Sequence, residues 1–175
     1  MKIIRFDALK AVPWKNGLGI TRELAVEPPG ASMDTFAWRV SIADVDTASP
    51  FSTFDGIDRT IVLLEGDGFT MVLDGEREHA LTTPCAPFAF PGEAKVDVRL
   101  AGGATRDFNL MVRRGMGAAR LTVLHGPGEF EGVAIAYIAE GNGTADGEPV
   151  AKGDSIFDAR RLTLAANTKA IAIHL

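Results

Sequence analysis

The strongest constraint on the fold of this chain is a run of short segments with strand periodicity and no long amphipathic helix between them. In FAWRVSIA (36–43), large apolar residues alternate with Arg39 and Ser41, which therefore share the opposite face of the predicted strand. Further segments of this character are 59–66, 68–76, 86–92, 95–103, 106–114, 119–126, 132–141, 148–158 and 162–175. Within 68–76, the Asp74-Gly75 pair predicts a turn. Strands at roughly 10-residue spacing are typical of antiparallel sandwiches and barrels. The sequence therefore predicts an all-β fold.

Composition and charge narrow the class of protein. The 175 residues fit one domain or two small modules, and 46% of them are hydrophobic, which indicates a folded chain rather than a disordered one. A formal charge of −5 gives no overall attraction to nucleic acid or to an anionic membrane. No apolar run approaches the roughly 20 residues of a membrane helix, and we expect no signal peptide. Because Cys85 is the one cysteine, we expect no internal disulfide and a cytoplasmic location.

Several motifs in the first two thirds of the chain are similar to those of one known family. In order, between residues 13 and 114, they are PWKNGLGITREL, FAWRVSIADVDTASPFSTFDGIDRTIVLLEG, FAFPG and RDFNLMVRR. Together they resemble the HutD/Ves family. Two positions depart from the family pattern, since Leu18 stands where a glycine is frequent and Asp55 stands where a proline is frequent. Neither departure removes a polar residue.

The resemblance implies both a fold and a role. The implied fold is a cupin-like double-stranded β-helix, the RmlC-like jelly roll, in a bicupin arrangement of two barrel-like halves. We expect the first barrel, residues 1–114, to hold a ligand pocket, and the smaller second half, residues 115–175, to be mainly structural. The implied role lies beside the histidine-utilisation pathway, as a binder of a small pathway acid such as urocanate, formylglutamate or formate.

Cupins often hold a metal ion through closely spaced histidines and a glutamate, but this sequence has no such set. Its three histidines, His79, His125 and His174, lie in separate segments, whereas metal ligands must converge at about 2 Å from the ion. We therefore predict no metal and no other cofactor. Cys85 has no histidine close to it in sequence, and no serine elbow, P-loop or dinucleotide motif is present.

A set of polar residues remains as the candidate ligand site. We predict that PWKNGLGITREL (13–24) is a loop built to hold a ligand, in which Gly17 and Gly19 permit sharp turns and close approach. The cations of this segment suit a carboxylate, and its short amide and hydroxyl groups suit a formyl, amide or imidazole edge. Alternation along the later strands adds further polar side chains. The predicted ligand-binding residues are Lys15, Asn16, Thr21, Arg22, Trp38, Arg39, Ser41, Arg59, Asp107 and Asn109.

Each of these residues also has an ordinary structural interpretation. Charged strand residues usually face water or form ion pairs. Trp14 and Trp38, with Phe88 or Phe90, could form an apolar wall of the site, or both tryptophans could be ordinary core residues. We expect Glu23 to pair with an arginine and to orient it.

The leading functional hypothesis is a non-catalytic protein that binds a small carboxylate metabolite and so senses or buffers pathway flux. One alternative is a metal-independent hydrolase or isomerase for such an acid, with Asp107 or Glu23 as a general base that neighbouring cations hold ionised. Another is a protein-interaction regulator, in which strands 132–140 and 169–175 could pair across a homodimer.

Overall fold

The computed structural model describes residues 1–14 and 17–175, and its regular structure is almost entirely β. In chain order the strands are β1 (Lys2–Ile4), β2 (Ala11–Pro13), β3 (Gly19–Glu27), β4 (Trp38–Val45), β5 (Ile57–Glu65), β6 (Phe69–Leu73), β7 (Arg77–Leu81), β8 (Pro87–Pro91), β9 (Val96–Leu100), β10 (Thr105–Arg113), β11 (Arg120–His125), β12 (Gly128–Phe130), β13 (Ile135–Glu140), β14 (Asn142–Ala145), β15 (Glu148–Ala151), β16 (Ser155–Phe157), β17 (Leu162–Leu164) and β18 (Lys169–His174). A 3-10 turn spans Phe6–Ala8. The predicted all-β fold is confirmed. Within the described part of the chain, no helix has the length and apolar character needed to cross a membrane.

The chain divides into two compact units. The larger comprises Lys10–Gly117, and the smaller comprises Met1–Leu9 together with Ala118–Leu175. The sequence predicts a boundary between the two halves after residue 114 and places the N-terminus in the first half. In the structure β1 pairs with β16, so the first nine residues belong to the smaller unit.

The larger unit is built from two antiparallel sheets. One has the strand order β2-β3-β4-β10-β5-β8, and the other has the order β7-β6-β9. A hydrophobic core draws side chains from both sheets, including Ile61 and Leu63 of β5 and Met71 and Val98 of the smaller sheet. Strand β5, IDRTIVLLE, has the β-branched and leucine-rich composition that suits a buried strand. The two sheets therefore pack face to face around one apolar core.

One predicted turn of the larger unit is confirmed. Asp74 and Gly75 join β6 to β7, and their φ angles are 54° and 75°. Positive φ at consecutive positions is the geometry that an Asp-Gly pair favours in a hairpin.

The segment that the sequence analysis treated as a polar loop proves to be a strand over much of its length. Gly19–Glu27 forms β3, which pairs with β2 on one side and β4 on the other. Its polar residues concealed the alternation, because one face of β3 lines a polar cavity instead of an apolar core. The loop interpretation of residues 19–24 was therefore wrong.

The smaller unit has two further antiparallel sheets, with strand orders β1-β16-β13-β18-β11 and β12-β17-β14-β15. Its core takes side chains from both, among them Ile138, Leu164 and Ala172. Strand β13 pairs with β16 and β18, and β18 pairs with β13 and β11. Both strands lie inside the sheet, so the predicted pairing of 132–140 and 169–175 across a dimer was wrong, since their backbone groups are already paired.

Candidate functional site

The larger unit contains a cavity of about 550 Å³ lined by one face of four neighbouring strands. Strand register explains the lining. Ser41 of β4 lies opposite Asn109 of β10, and Met111 lies between Arg39 and Arg59 in adjacent strands. Directly paired residues of neighbouring strands point to the same face of the sheet. Because side chains alternate along each strand, the residues two positions before and after them point to that face as well. The polar residues that these four strands contribute to the lining are Thr21, Arg39, Ser41, Arg59, Asp107 and Asn109.

Arg59 is the buried cation of this cavity, with 9% of its surface exposed. Its guanidinium carbon lies 5.3, 5.6 and 4.9 Å from the ring centres of Phe51, Phe54 and Phe90, which is cation–π distance. Its NH1 group donates a long hydrogen bond of 3.4 Å to the Ser52 carbonyl. Among the described residues, its Nε has no hydrogen-bond partner. Burial lowers the pKa of Arg59 to about 10, so the group stays charged at neutral pH.

Asp107 is the buried carboxyl of the same face, with 1% of its surface exposed. Its Oδ1 accepts a hydrogen bond from the Asn109 amide, and its Oδ2 has no partner among the described residues. Burial raises the pKa of Asp107 to about 7, against the opposing effects of the Asn109 hydrogen bond and the Arg59 charge. The expectation that neighbouring cations hold this carboxyl ionised was wrong, because desolvation has the larger effect.

A second arginine is held in place at the cavity wall. Arg39 Nε donates to Glu23 Oε2 at 2.8 Å, and its NH1 donates to Ser41 Oγ at 3.3 Å. The predicted pairing of Glu23 with an arginine is confirmed. Because Glu23 already binds this cation, and its side chain is largely exposed, Glu23 is poorly placed to act as a general base in the cavity.

Trp14 and Thr21 form a hydrogen-bonded pair at the lining, where Trp14 Nε1 donates to Thr21 Oγ1 at 2.7 Å. Gly19 lets the indole approach the backbone. A Cβ added at Gly19 would lie 2.7 Å from the Asp44 carbonyl oxygen and 3.0 Å from two indole atoms. Gly19 is therefore required by close packing against the Asp44 backbone and the Trp14 indole.

We expect Gly19→Ala to lower the free energy of unfolding by about 1–3 kcal/mol, because the added methyl group overpacks this site. Urea unfolding measures the change. Gly103→Ala is the matched control, since a Cβ at Gly103 meets nothing within 4 Å, and it should stay within about 0.5 kcal/mol of wild type. Equal stability of the two variants would show that Trp14 is not held as described.

Two predicted ligand residues of the described chain, Arg22 and Trp38, are not among those that line the cavity. Arg22 lies on the opposite face of β3 from Thr21, where its NH1 group donates to Asp44 Oδ2 at 2.6 Å. Trp38 has the parity of Val40 in β4 and not that of Arg39, so alternation turns it away from the lining. Lys15 and Asn16 lie outside the described residues.

Four residues that complete the surroundings of Arg59 are not among the predicted ligand-binding residues. They are Phe51, Ser52, Phe54 and Met111. The first three lie in an irregular segment before β5, where no periodicity shows the direction of a side chain. The available signal was two phenylalanines three residues apart after a proline, in SPFSTF (49–54). That pattern indicates an aromatic contact but does not identify its partner.

The cavity does not fit the metal ion that cupin folds often carry. Its described lining holds one carboxyl, Asp107, and two guanidinium groups, and it contains no imidazole. Divalent cations bind convergent carboxylate, imidazole or thiolate ligands, and a buried guanidinium repels them. Across residues 1–14 and 17–175, no group of three or more histidine, cysteine, aspartate or glutamate residues could hold a metal.

Comparisons with known sequences agree with the motif resemblance. The HutD family model matches residues 7–173. A 21.2 kDa protein in the hutC 3′ region of Pseudomonas putida is 43% identical over 111 residues, which cover 63% of this chain and 57% of that protein. Protein Ves of Cronobacter sakazakii is 36% identical over 124 residues, covering 69% and 66% respectively. The chain thus spans between half and two thirds of the length of these curated relatives.

Solved structures give the same assignment. HutD from Pseudomonas fluorescens SBW25, in a formate condition, superposes with a TM-score of 0.84 and 29% identity, covering 99% of this chain and 97% of that one. A Cupin 2 conserved barrel domain protein from Leptotrichia buccalis superposes with a TM-score of 0.63 and 11% identity, covering 99% and 96%. At that identity the second likeness concerns the fold alone, and it makes the all-β fold cupin-like.

Proposed function

The chain belongs to the HutD family, and on that premise we propose that its larger unit binds a small carboxylate metabolite without converting it. The protein would then sense or buffer a metabolite of histidine degradation, with urocanate, formylglutamate and formate as candidates. We further propose that its two units are the two halves of a bicupin and that the smaller one is mainly structural.

The observation that carries this proposal is the buried guanidinium of Arg59. Burying a charge is costly unless hydrogen bonds compensate it, and Arg59 has one long hydrogen bond and an Nε without a partner among the described residues. A carboxylate is the natural complement, because it can accept two hydrogen bonds from one guanidinium. Ser41 and Asn109 supply neutral polar groups on the same face.

The link to histidine degradation comes from the relatives. One is a HutD protein, and another lies in a hutC 3′ region. The likeness to HutD covers nearly the whole of both chains, which supports a shared role.

Calorimetric titration of the folded protein with urocanate, formylglutamate and formate tests the proposal. We expect saturable heat with at least one acid at millimolar concentration. Formamide is the ligand control, since it resembles formate in size but has no charge, and it should give no saturable heat. Absence of saturable heat with all three acids would rule out the proposed function.

A second candidate function, turnover of such an acid, is favoured by Asp107. Burial raises the pKa of this carboxyl to about 7, and a group that titrates near the working pH is suited to general acid–base catalysis. The experiment incubates each acid with the protein and follows it by NMR, with Asp107→Asn as control. Product that forms with wild type and not with Asp107→Asn would replace the binding function with the enzymatic one.

A further inference from the structure

Two opposite charges share the polar face of the cavity, and each lacks part of its hydrogen bonding. Arg59 Nε and Asp107 Oδ2 are both buried without a partner among the described residues. Their charges interact, since Asp107 raises the pKa of Arg59 and Arg59 lowers that of Asp107. Asp107 is the one carboxyl among the described residues that line the cavity, so it is the group there that can act as a counterion to Arg59.

An anion that enters this cavity meets both groups. It gains from Arg59, and it is repelled by Asp107 if that carboxyl is ionised, because like charges in a desolvated site interact strongly. A protonated Asp107 removes the repulsion and provides an O–H donor for an oxygen of the ligand. Binding of an anion therefore favours the protonated form.

The other charges around Asp107 do not relieve this repulsion. On β4, Arg39 is paired with Glu23 of β3, and Asp44 makes the carboxyl of Asp107 still harder to ionise. The facing sheet contributes apolar core residues, and the ring of His79 on its strand β7 stacks on Phe88 at 3.6 Å. His79 is not among the residues that line the cavity.

We propose that this site takes up its carboxylate ligand together with one proton, which Asp107 holds while Arg59 binds the anion. The inference rests on the proposed function, since it specifies how the same site recognises its ligand. Asp107 is then a specificity determinant. A monoanion and the proton taken up by Asp107 together add no net charge to the cavity. The fraction of protein that holds the ligand should therefore rise as the pH falls through neutrality.

Formate is the probe, because it remains ionised across the pH range used. Its dissociation constant is measured by calorimetry between about pH 6 and pH 8, in HEPES and in Tris, which differ in ionisation enthalpy. For wild type we expect affinity to fall about five- to tenfold over this range, as one linked proton requires, and the heat at the upper pH to differ between the buffers.

The same titration with Asp107→Asn separates this carboxyl from other groups, because His79 remains in the variant. We expect its affinity for formate to be independent of pH and its heat to be independent of buffer. Equal affinity of wild type at both pH values, or proton uptake that persists in Asp107→Asn, would overturn the inference while leaving the binding function intact. If wild type binds urocanate or formylglutamate but binds no formate at about pH 6 or at about pH 8, the inference is overturned for formate. If the variant does not fold, a wild-type affinity that is independent of pH still overturns the inference.

Discussion

Replacing Arg59 with methionine is expected to weaken binding of the carboxylate ligand by about 2–5 kcal/mol, or about 30-fold to several-thousand-fold, because the buried cation is lost. The fold should survive. Methionine is unbranched and flexible, and it can fill the space between Phe51, Phe54 and Phe90. Loss of one partner of a buried pair destabilises a protein when the other partner is left charged, but at about pH 6 Asp107 is protonated, so the melting temperature measured there should stay the same or rise.

A variant that binds the ligand more weakly but keeps its melting temperature identifies Arg59 as a ligand-binding residue. Arg99→Met is the matched control, since the Arg99 side chain is 62% exposed and pairs with Glu78 on the other sheet of the same unit. The control should bind as wild type does when both are titrated at about pH 6.5. Unchanged affinity in Arg59→Met, with the control also unchanged, would exclude Arg59 from the site.

Replacing Asp107 with asparagine is expected to change how stability depends on pH. The pKa of this carboxyl is raised from 3.8 to about 7 in the folded protein. Between about pH 4 and pH 7 the unfolded chain releases this proton and the folded chain keeps it, so unfolding becomes easier as the pH rises. Below about pH 4 both states hold the proton, and above about pH 7 the full cost of the buried charge is present.

Asparagine cannot ionise, and its carbonyl can still accept the Asn109 hydrogen bond. Relative to wild type, Asp107→Asn should therefore gain stability by up to about 4 kcal/mol between pH 4 and pH 7. Urea unfolding of both proteins at several pH values measures this difference, and contributions from other groups cancel. A difference that stays constant with pH would mean that Asp107 ionises in the folded state as it does in the unfolded chain.

The sequence predicted the polar face of β4 and β10 because strand alternation is a local property. Arg39 and Ser41 share one parity in β4, Asp107 and Asn109 share one parity in β10, and the observed register brings these faces together. Alternation alone did not show that this face lines a cavity. Val40 and Phe108 on the other face are also fully buried, so both faces of these strands avoid water.

The errors in residues 13–24 also concern strand alternation, which the sequence did not reveal there. Thr21 and Arg22 were both assigned to a loop, where neighbouring side chains can converge on one ligand. In strand β3 neighbours point to opposite faces, so Thr21 reaches the cavity and Arg22 reaches Asp44. The polar composition of 13–24 gave no sign of that alternation.

Other features of the site depend on distant parts of the chain. Phe51 and Phe54 reach Arg59 from an irregular segment, and no local pattern relates them. The raised pKa of Asp107 depends on how completely the fold excludes water from it, and no sequence motif measures that. The sign of its shift therefore required the structure.

A crystal structure of the protein soaked with formate would show whether Arg59 binds a carboxylate in the cavity. We predict formate inside the cavity of the larger unit, with a carboxylate oxygen within about 3 Å of Arg59 Nε. Formate bound only elsewhere, or an Arg59 Nε that is bonded to protein groups in a cavity that stays free of ligand at saturating formate, would contradict it.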